Sequence, residues 1–177
     1  DGLIAVAAGA GGHAGAQSPF ALVREIREWF DGPLALSGAI THGRSILGAQ
    51  AIGADFAYIG SAFLATKESN APEPQKQLML ESTAEDIVYS NLFTGVHGNY
   101  LRGSITASGL DPDNLAQSSP SAMSFGSDRK TKAWRDIWGS GQGVGMLTEQ
   151  VTTQALVDRL KGEYEQAREE LARLLSA

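Results

Sequence analysis

The strongest constraint on the fold is a regular alternation of apolar segments and helix-like segments over residues 1–66. The apolar segments are LIAVAA (residues 3–8), LALSGAI (residues 34–40) and DFAYIGSAFLAT (residues 55–66), and each of them runs into glycine. Continuous apolar runs are typical of strands that are buried on both faces of a parallel sheet. We therefore interpret these three segments as parallel strands.

The segments between the strands have helical signals. In SPFALVREIREWFDGP, Ser18 is suited to the N-cap and Pro19 to the first helical position. HGRSILGAQAIGA (residues 42–54) predicts a second, shorter helix. The order strand, helix, strand, helix, strand implies right-handed crossovers and an α/β fold with a parallel sheet.

The alternation stops near residue 67, and the rest of the chain is organised differently. Residues 69–148 predict an extension of helices and loops on the substrate side, with a long loop rich in glycine, serine and proline at residues 107–130. An amphipathic helix is predicted at about residues 149–175. We therefore divide the chain into residues 1–68, 69–148 and 149–177.

The composition excludes several classes of function. The formal net charge of −6 argues against a general nucleic-acid binder. The chain has no cysteine, and no group of histidines and carboxylates has metal-ligand spacing, so we expect neither disulfides nor a metal site. No apolar run is long enough to span a membrane, and no signal peptide is visible. These features indicate a soluble, cytoplasmic protein.

The turns after the strands carry the main functional signal. GAGGHAG follows the first strand, Gly38-Ala39-Ile40 follows the second, and Gly60-Ser61 follows the third. Ligands of βα folds lie at the carboxyl ends of the strands, where glycines let backbone N–H groups approach closely. Two such turns on successive strands, together with a helix N-terminus, predict a cradle for an anion. The alternative is that the glycines only permit tight turns.

One histidine is placed to act beside that cradle. His13 follows the first strand and its glycine turn, and an imidazole is suited to general base catalysis near neutral pH. His42 lies in a helix-entry turn, where it can simply face solvent, and the sequence assigns no place to His97. Further along, GSGQGVG (residues 139–145) is either a plain loop or a backbone cap over a ligand, with Gln142 as a hydrogen-bond donor.

Two motifs at this spacing resemble a known family. The first is AGGHAG after a buried strand, and the second is LSGAITHGRSILGAQAIGADFAYIGSAFLATKES. Together they are similar to the nitronate monooxygenase family, also called 2-nitropropane dioxygenase-like. The resemblance is strongest over residues 1–68 and continues more loosely through TGVHGNYLRGSI and WGSGQGVG. It implies the C-terminal portion of an FMN-binding (β/α)8 TIM barrel with a mostly helical C-terminal extension. It also implies an enzyme that oxidises alkyl nitronates with O2 to a carbonyl compound and nitrite.

The resemblance assigns roles to individual residues. His13 matches the family's active-site histidine, a base toward nitroalkanes that lies near the flavin. The residues that match cofactor-binding positions are Gly11 and Gly12 beside the flavin, Gly38, Ala39, Tyr58, Ile59, Gly60 and Ser61 at the FMN phosphate, and Gln142 and Gly143 in the late glycine-rich segment. Val6 and Gly9 depart from the glutamine and glutamate of many members, which leaves the substrate within the family open.

Two other functions stay open. The family's motifs are shared by FMN-dependent NAD(P)H:quinone reductases and enoyl-acyl-carrier-protein reductases, so a reductase is one alternative. The other is not an enzyme: it is a barrel that binds a phosphate ligand without catalysis. The chain enters its first strand at once and lacks an initiator methionine, so we expect a missing N-terminal part of the barrel to supply the neighbouring strands. A small-molecule substrate and a homodimer are further expectations.

Overall fold

The computed structural model describes residues 1–117 and 136–176 of the chain. In this part of the chain the strands are β1 (Leu3–Val6), β2 (Gly12–His13), β3 (Leu34–Ser37), β4 (Phe56–Tyr58), β5 (Ile87–Ser90) and β6 (Gly98–Leu101). The helices are α1 (Pro19–Arg27), α2 (Gly43–Ala51), α3 (Ser61–Leu64), α4 (Glu73–Glu81), α5 (Arg102–Ala107) and α6 (Thr153–Leu175). Short 3-10 turns lie at Ala84–Asp86 and Gln142–Met146. No helix among these residues combines the length and apolarity needed to cross a bilayer.

The three predicted strands form one parallel sheet in the order β1-β3-β4. Both pairings are parallel, which confirms the prediction from the alternating pattern. The register aligns Ile4 with Ala35 and Phe56, so these three side chains project from the same face of the sheet. Helices α1 and α2 connect consecutive strands, as expected of βαβ units.

Only one face of this sheet is buried, so the expectation of strands buried on both faces is wrong for the described part of the chain. Ala5, Leu34 and Leu36 are buried in an apolar core with residues of α1 and α2. On the other face, Ile4 is 57% exposed and Phe56 is 61% exposed. The physical reason is that no element within residues 1–117 and 136–176 covers that face.

The third strand is shorter than predicted. The pattern placed a strand over residues 55–66, but β4 ends at Tyr58, and Gly60 is the N-cap of the short helix α3. The helical spacing explains the difference: Ala62 and Ala65 are both buried in a second apolar cluster that also contains residues of α4 and α6. A continuing strand would have turned these two side chains toward opposite faces.

The described extension after residue 68 is mostly helical, as expected, but it also contains the strands β5 and β6, which the sequence analysis did not predict. Strands β2, β6 and β5 form an antiparallel sheet in that order, so the hairpin of β5 and β6 pairs with the segment that carries His13. All four residues of β6 are buried, and Tyr100 packs with Ile105 and Ile137 in a third cluster. Most of the predicted loop at residues 107–130 lies outside the described residues, and the proposed division into three segments stays a prediction.

The C-terminal helix α6 crosses α2. It begins at Thr153, later than predicted, because the Thr152 hydroxyl caps it by accepting from the Ala155 N–H at 3.2 Å. The two helices approach so closely that a Cβ at Gly43 would overlap the backbone of Tyr164. Leu156, Leu160 and Ala167 form the buried side of α6. The start of α2 is therefore packed directly against α6.

Candidate functional site

The carboxyl ends of β1, β3 and β4 meet at an open cleft of about 260 Å³. Its lining consists of residues 9–12, residues 37–41, Tyr58, Gly60, Ser61, Leu64, Gly139, Gly141 and Gly143. The glycine turns of all three parallel strands and the late glycine-rich segment are thus brought together. Eight of the sixteen lining residues are glycines, so much of the backbone is free to approach a ligand, as predicted for a ligand cradle.

Most of the residues expected to bind a cofactor lie in this cleft. Those in its lining are Gly11, Gly12, Gly38, Ala39, Tyr58, Gly60, Ser61 and Gly143. Ile59 does not line it, because its side chain packs against the first and second apolar clusters. Gln142 is exposed beside the cleft, and its backbone N–H donates to the Gly9 carbonyl at 2.9 Å.

Ala39 has an unusual backbone conformation. Among the described residues it is the one non-glycine residue with positive φ, at 55°. Its N–H donates to the Gly9 carbonyl at 3.2 Å, so this donor is already used inside the protein. The same carbonyl accepts from Gln142, so Gly9 links the turn after β3 to the late glycine-rich segment. Ala39 therefore shapes the cleft wall more than it offers a free donor.

Two polar side chains that hold the cleft wall were missed by sequence reasoning. Asn99 is 2% exposed, and its Nδ2 donates to the Ala10 carbonyl at 2.7 Å. The buried Thr41 hydroxyl donates to the Gly143 carbonyl at 3.1 Å. Each partner is far away along the chain, so no local pattern signals either contact. Ser61, which was predicted, has a comparable role, because its Oγ accepts from the Gly141 N–H at 2.8 Å.

Gly60 leaves room for a ligand group at the end of β4. A Cβ built on this residue would meet no atom within 4 Å, so packing does not require a glycine there. No hydrogen bond within residues 1–117 and 136–176 uses the backbone N–H of Gly60 or of Ser61. Unused donors beside open space are the features expected of a backbone anion site.

Charged groups are arranged around the cleft and not in it. No described lining residue is charged. The first N–H of α2, that of Gly43, donates to Glu163 Oε2 at 2.8 Å, so a protein carboxylate already occupies this helix N-terminus. Arg44 pairs with Glu170 on α6. An anion in the cleft would therefore rely on backbone donors after β3 and β4, and the start of α2 is excluded from the predicted cradle.

The carboxyl groups whose pKa values are lowered by their surroundings also lie outside the cleft lining. The backbone N–H of Leu34, and after it the Arg27 side chain, lower the pKa of Asp55. The backbone N–H of Thr153 lowers the pKa of Glu68, and the Arg44 guanidinium lowers the pKa of Glu170. These carboxylates stabilise contacts between elements and have no direct access to a ligand in the cleft.

The three histidines have different environments. His13 is exposed next to Gly12 of the cleft lining, and its Nε2 lies 2.9 Å from Thr94 Oγ1. His42 caps α2 by accepting from the Arg44 N–H at 3.0 Å. His97 stacks on Tyr89 with ring centroids 4.9 Å apart. In sequence, His13 follows the lining residue Gly12 and His42 follows the lining residue Thr41, whereas His97 adjoins no lining residue.

Comparison with known proteins identifies one family. The family model described as nitronate monooxygenase matches residues 1–163. A probable nitronate monooxygenase of Staphylococcus haemolyticus is 30% identical over 90% of this chain and 49% of its own length. A nitronate monooxygenase of Paraburkholderia phytofirmans is 27% identical over 97% of this chain and 51% of its own length. The chain thus spans about half the length of these relatives.

Solved structures show the same fold. FabK from Thermotoga maritima superimposes with a TM-score of 0.76 at 21% identity, over 98% of this chain and 57% of that chain. Nitroalkane oxidase from Streptomyces ansochromogenes superimposes with a TM-score of 0.71 at 24% identity, over 97% of this chain and 53% of that chain. In both cases the two sheets and their helices correspond to part of a longer protein.

Proposed function

Since the chain belongs to the nitronate monooxygenase family of flavin-dependent oxidoreductases, we propose that it binds FMN and oxidises alkyl nitronates with O2. The products are a carbonyl compound and nitrite. The observation that carries the proposal is the cleft at the ends of β1, β3 and β4. Five of its lining positions that match the family's motifs are glycines, namely Gly11, Gly12, Gly38, Gly60 and Gly143. When bound, FMN supplies the redox chemistry, and the protein supplies binding and orientation.

The proposed phosphate site lies at Gly38, Gly60 and Ser61. The open space at Gly60 and the unused N–H groups of Gly60 and Ser61 support this assignment. Ala39 takes part by holding the turn in its positive-φ conformation. Gly11, Gly12, Gln142 and Gly143 are assigned to the remainder of the flavin, with Tyr58 on the cleft wall.

The proposed catalytic group is the imidazole of His13. It follows the cleft residue Gly12, and its exposed side chain is accessible to a small substrate. With a neutral nitroalkane, His13 takes the proton from the carbon next to the nitro group, and the electron pair of that C–H bond stays on the substrate as the nitronate. A preformed nitronate has already lost this proton, so it bypasses the step.

We also propose that the described sheet is the C-terminal portion of a (β/α)8 barrel. Parallel sheets are normally covered on both faces, whereas Ile4 and Phe56 are exposed here. The relatives are about twice as long as this chain, which leaves enough sequence for the strands that would cover the face. The activity therefore belongs to the complete barrel.

Replacement of His13 tests the catalytic role in the complete flavoprotein. His13→Asn should lower turnover of a neutral nitroalkane by about 10²–10⁴-fold, the usual contribution of a general base, with FMN still bound. Turnover of the preformed nitronate should fall much less. His97→Asn is the matched control. This histidine is exposed and its ring contact is with Tyr89, so its replacement should not change turnover of either substrate.

Other results would contradict parts of the proposal. Equal losses with nitroalkane and nitronate would mean that His13 only positions the substrate. Unchanged turnover of both would make His13 structural. Rapid bleaching of the flavin by NAD(P)H without oxygen would indicate the reductase alternative.

A further inference from the structure

Thr94 holds the His13 imidazole from a distant part of the chain. Thr94 lies in the connection between β5 and β6, and its Oγ1 is 2.9 Å from His13 Nε2. Strand β2 pairs with β6 so that His13 lies opposite Gly98. The same hairpin therefore fixes both the backbone of His13 and one nitrogen of its ring.

The proton in this hydrogen bond can be assigned from the other contacts of the Thr94 hydroxyl. Thr94 Oγ1 also lies 3.0 Å from the Val96 carbonyl oxygen, which can only accept. The hydroxyl has one proton, and the bond to Val96 uses it. The bond with His13 then needs a proton from the imidazole, so Nε2–H donates to Thr94 Oγ1. The neutral ring consequently has its lone pair at Nδ1.

We propose that Thr94 is a positioning residue that holds neutral His13 in the Nε2–H tautomer, so that Nδ1 takes the proton from the substrate. The inference rests on the proposed role of His13 as a base and names the reacting atom. Within the described residues, the hydrogen bond of this ring is the one at Nε2. When Nδ1 takes the proton, the C–H electron pair stays on the substrate, and the bond from Nε2–H to Thr94 is kept throughout.

The tautomer can be read directly from the imidazole nitrogens. ¹⁵N-histidine labelling of the flavoprotein reports on the nitrogens of each imidazole ring, and the signals lost in His13→Asn identify His13. At a pH where the imidazole is neutral, we expect Nε2 to be protonated and Nδ1 to be unprotonated. An unprotonated Nε2 in the protein without substitutions would overturn the proposal.

Two variants of Thr94 separate the hydroxyl from the rest of the side chain. Thr94→Val removes the hydroxyl at nearly constant size, so His13 should become a mixture of tautomers. Nitroalkane turnover should fall about tenfold, the loss expected for one hydrogen bond, and nitronate turnover should change much less. Thr94→Ser keeps the hydroxyl and should retain both the single tautomer and the turnover. An unchanged tautomer in Thr94→Val would overturn the proposal.

Failure of this inference and failure of the proposed function give different results. If Nε2 is unprotonated while His13→Asn still lowers nitroalkane turnover as expected, only the Thr94 assignment fails. If His13→Asn leaves turnover unchanged, the base role fails, and the assignment of Nδ1 as proton acceptor falls with it.

Discussion

Gly60 and Ala39 show how single residues shape the cleft. Gly60 has an ordinary φ of −111° and open space around its missing side chain, so neither strain nor crowding requires a glycine. Ala39 is the opposite case, because its φ of 55° lies in the left-handed region that costs an L-residue roughly 1–2 kcal/mol. A glycine at this position would adopt the same conformation without that cost.

A bulky residue at position 60 should release the flavin without unfolding the protein. In Gly60→Val the side chain enters open space in the cleft, so the fold should be kept while the close approach of a phosphate is blocked. The measurements are the flavin absorbance per protein after purification and the thermal unfolding midpoint. Gly48→Val is the matched control, since a Cβ at this exposed position of α2 also meets no atom within 4 Å. Stoichiometric flavin in Gly60→Val would contradict the assignment of the phosphate site.

At the level of elements, α6 acts on the cleft through the start of α2. Glu163 Oε2 accepts from the Gly43 N–H at 2.8 Å, and its Oε1 accepts from Arg159 Nη1 at 3.0 Å. Arg159 Nη2 in turn donates to the Thr41 carbonyl at 3.5 Å. Because the turn after β3 leads directly into α2, this carboxylate fixes both the helix and one wall of the cleft.

Loss of the Glu163 carboxylate should weaken both folding and flavin binding. Glu163→Ala leaves the buried Gly43 N–H without its acceptor, so the free energy of unfolding should fall by about 2 kcal/mol, the range for a hydrogen bond to a charged group. Urea unfolding and flavin titration are the measurements. Glu165→Ala is the control on the same helix, because the exposed pair with Arg168 should contribute less than about 1 kcal/mol. Equal effects of the two variants would refute the role of Glu163.

The elements that the sequence predicts well are those with local signals. Strands β1 and β3 follow from their apolar runs, and Pro19 marks the first residue of α1. Strand β2 has only two residues, Gly12 and His13, and forms because β6 pairs with it. The sequence placed His13 beside the cleft. No local pattern around His13 indicates its hydrogen bond with Thr94, since the two residues are 81 positions apart. Asn99 was missed for the same reason, because its partner Ala10 is 89 positions away.

For the molecule as a whole, the important feature is the uncovered face of the parallel sheet. Ile4, Val6, Phe56 and Tyr58 project from this face and are 39–61% exposed. Their alignment follows from the register, which places Ile4 beside Ala35 and Phe56, and Val6 beside Ser37 and Tyr58. A continuous apolar surface of this kind is typical of a protein interface.

This face should make the 177-residue polypeptide associate with itself when it is produced alone, because burial of the exposed side chains is favourable. The double variant Ile4→Thr/Phe56→Thr places β-branched residues, which suit a strand, at both positions and lowers the apolarity of the face. It should therefore shift the polypeptide toward the monomer and reduce binding of a hydrophobic dye. Sedimentation velocity and dye fluorescence measure the two effects. Phe20→Ser/Trp29→Ser is the matched control, since Phe20 in α1 and Trp29 just after α1 are 68% and 69% exposed but lie away from the sheet face. In the complete barrel the same Ile4 and Phe56 changes should instead destabilise the protein, because the additional strands would bury both side chains. A monomeric parent polypeptide that binds no dye, or equal effects of the two double variants, would show that this face is not the surface that the rest of the barrel covers.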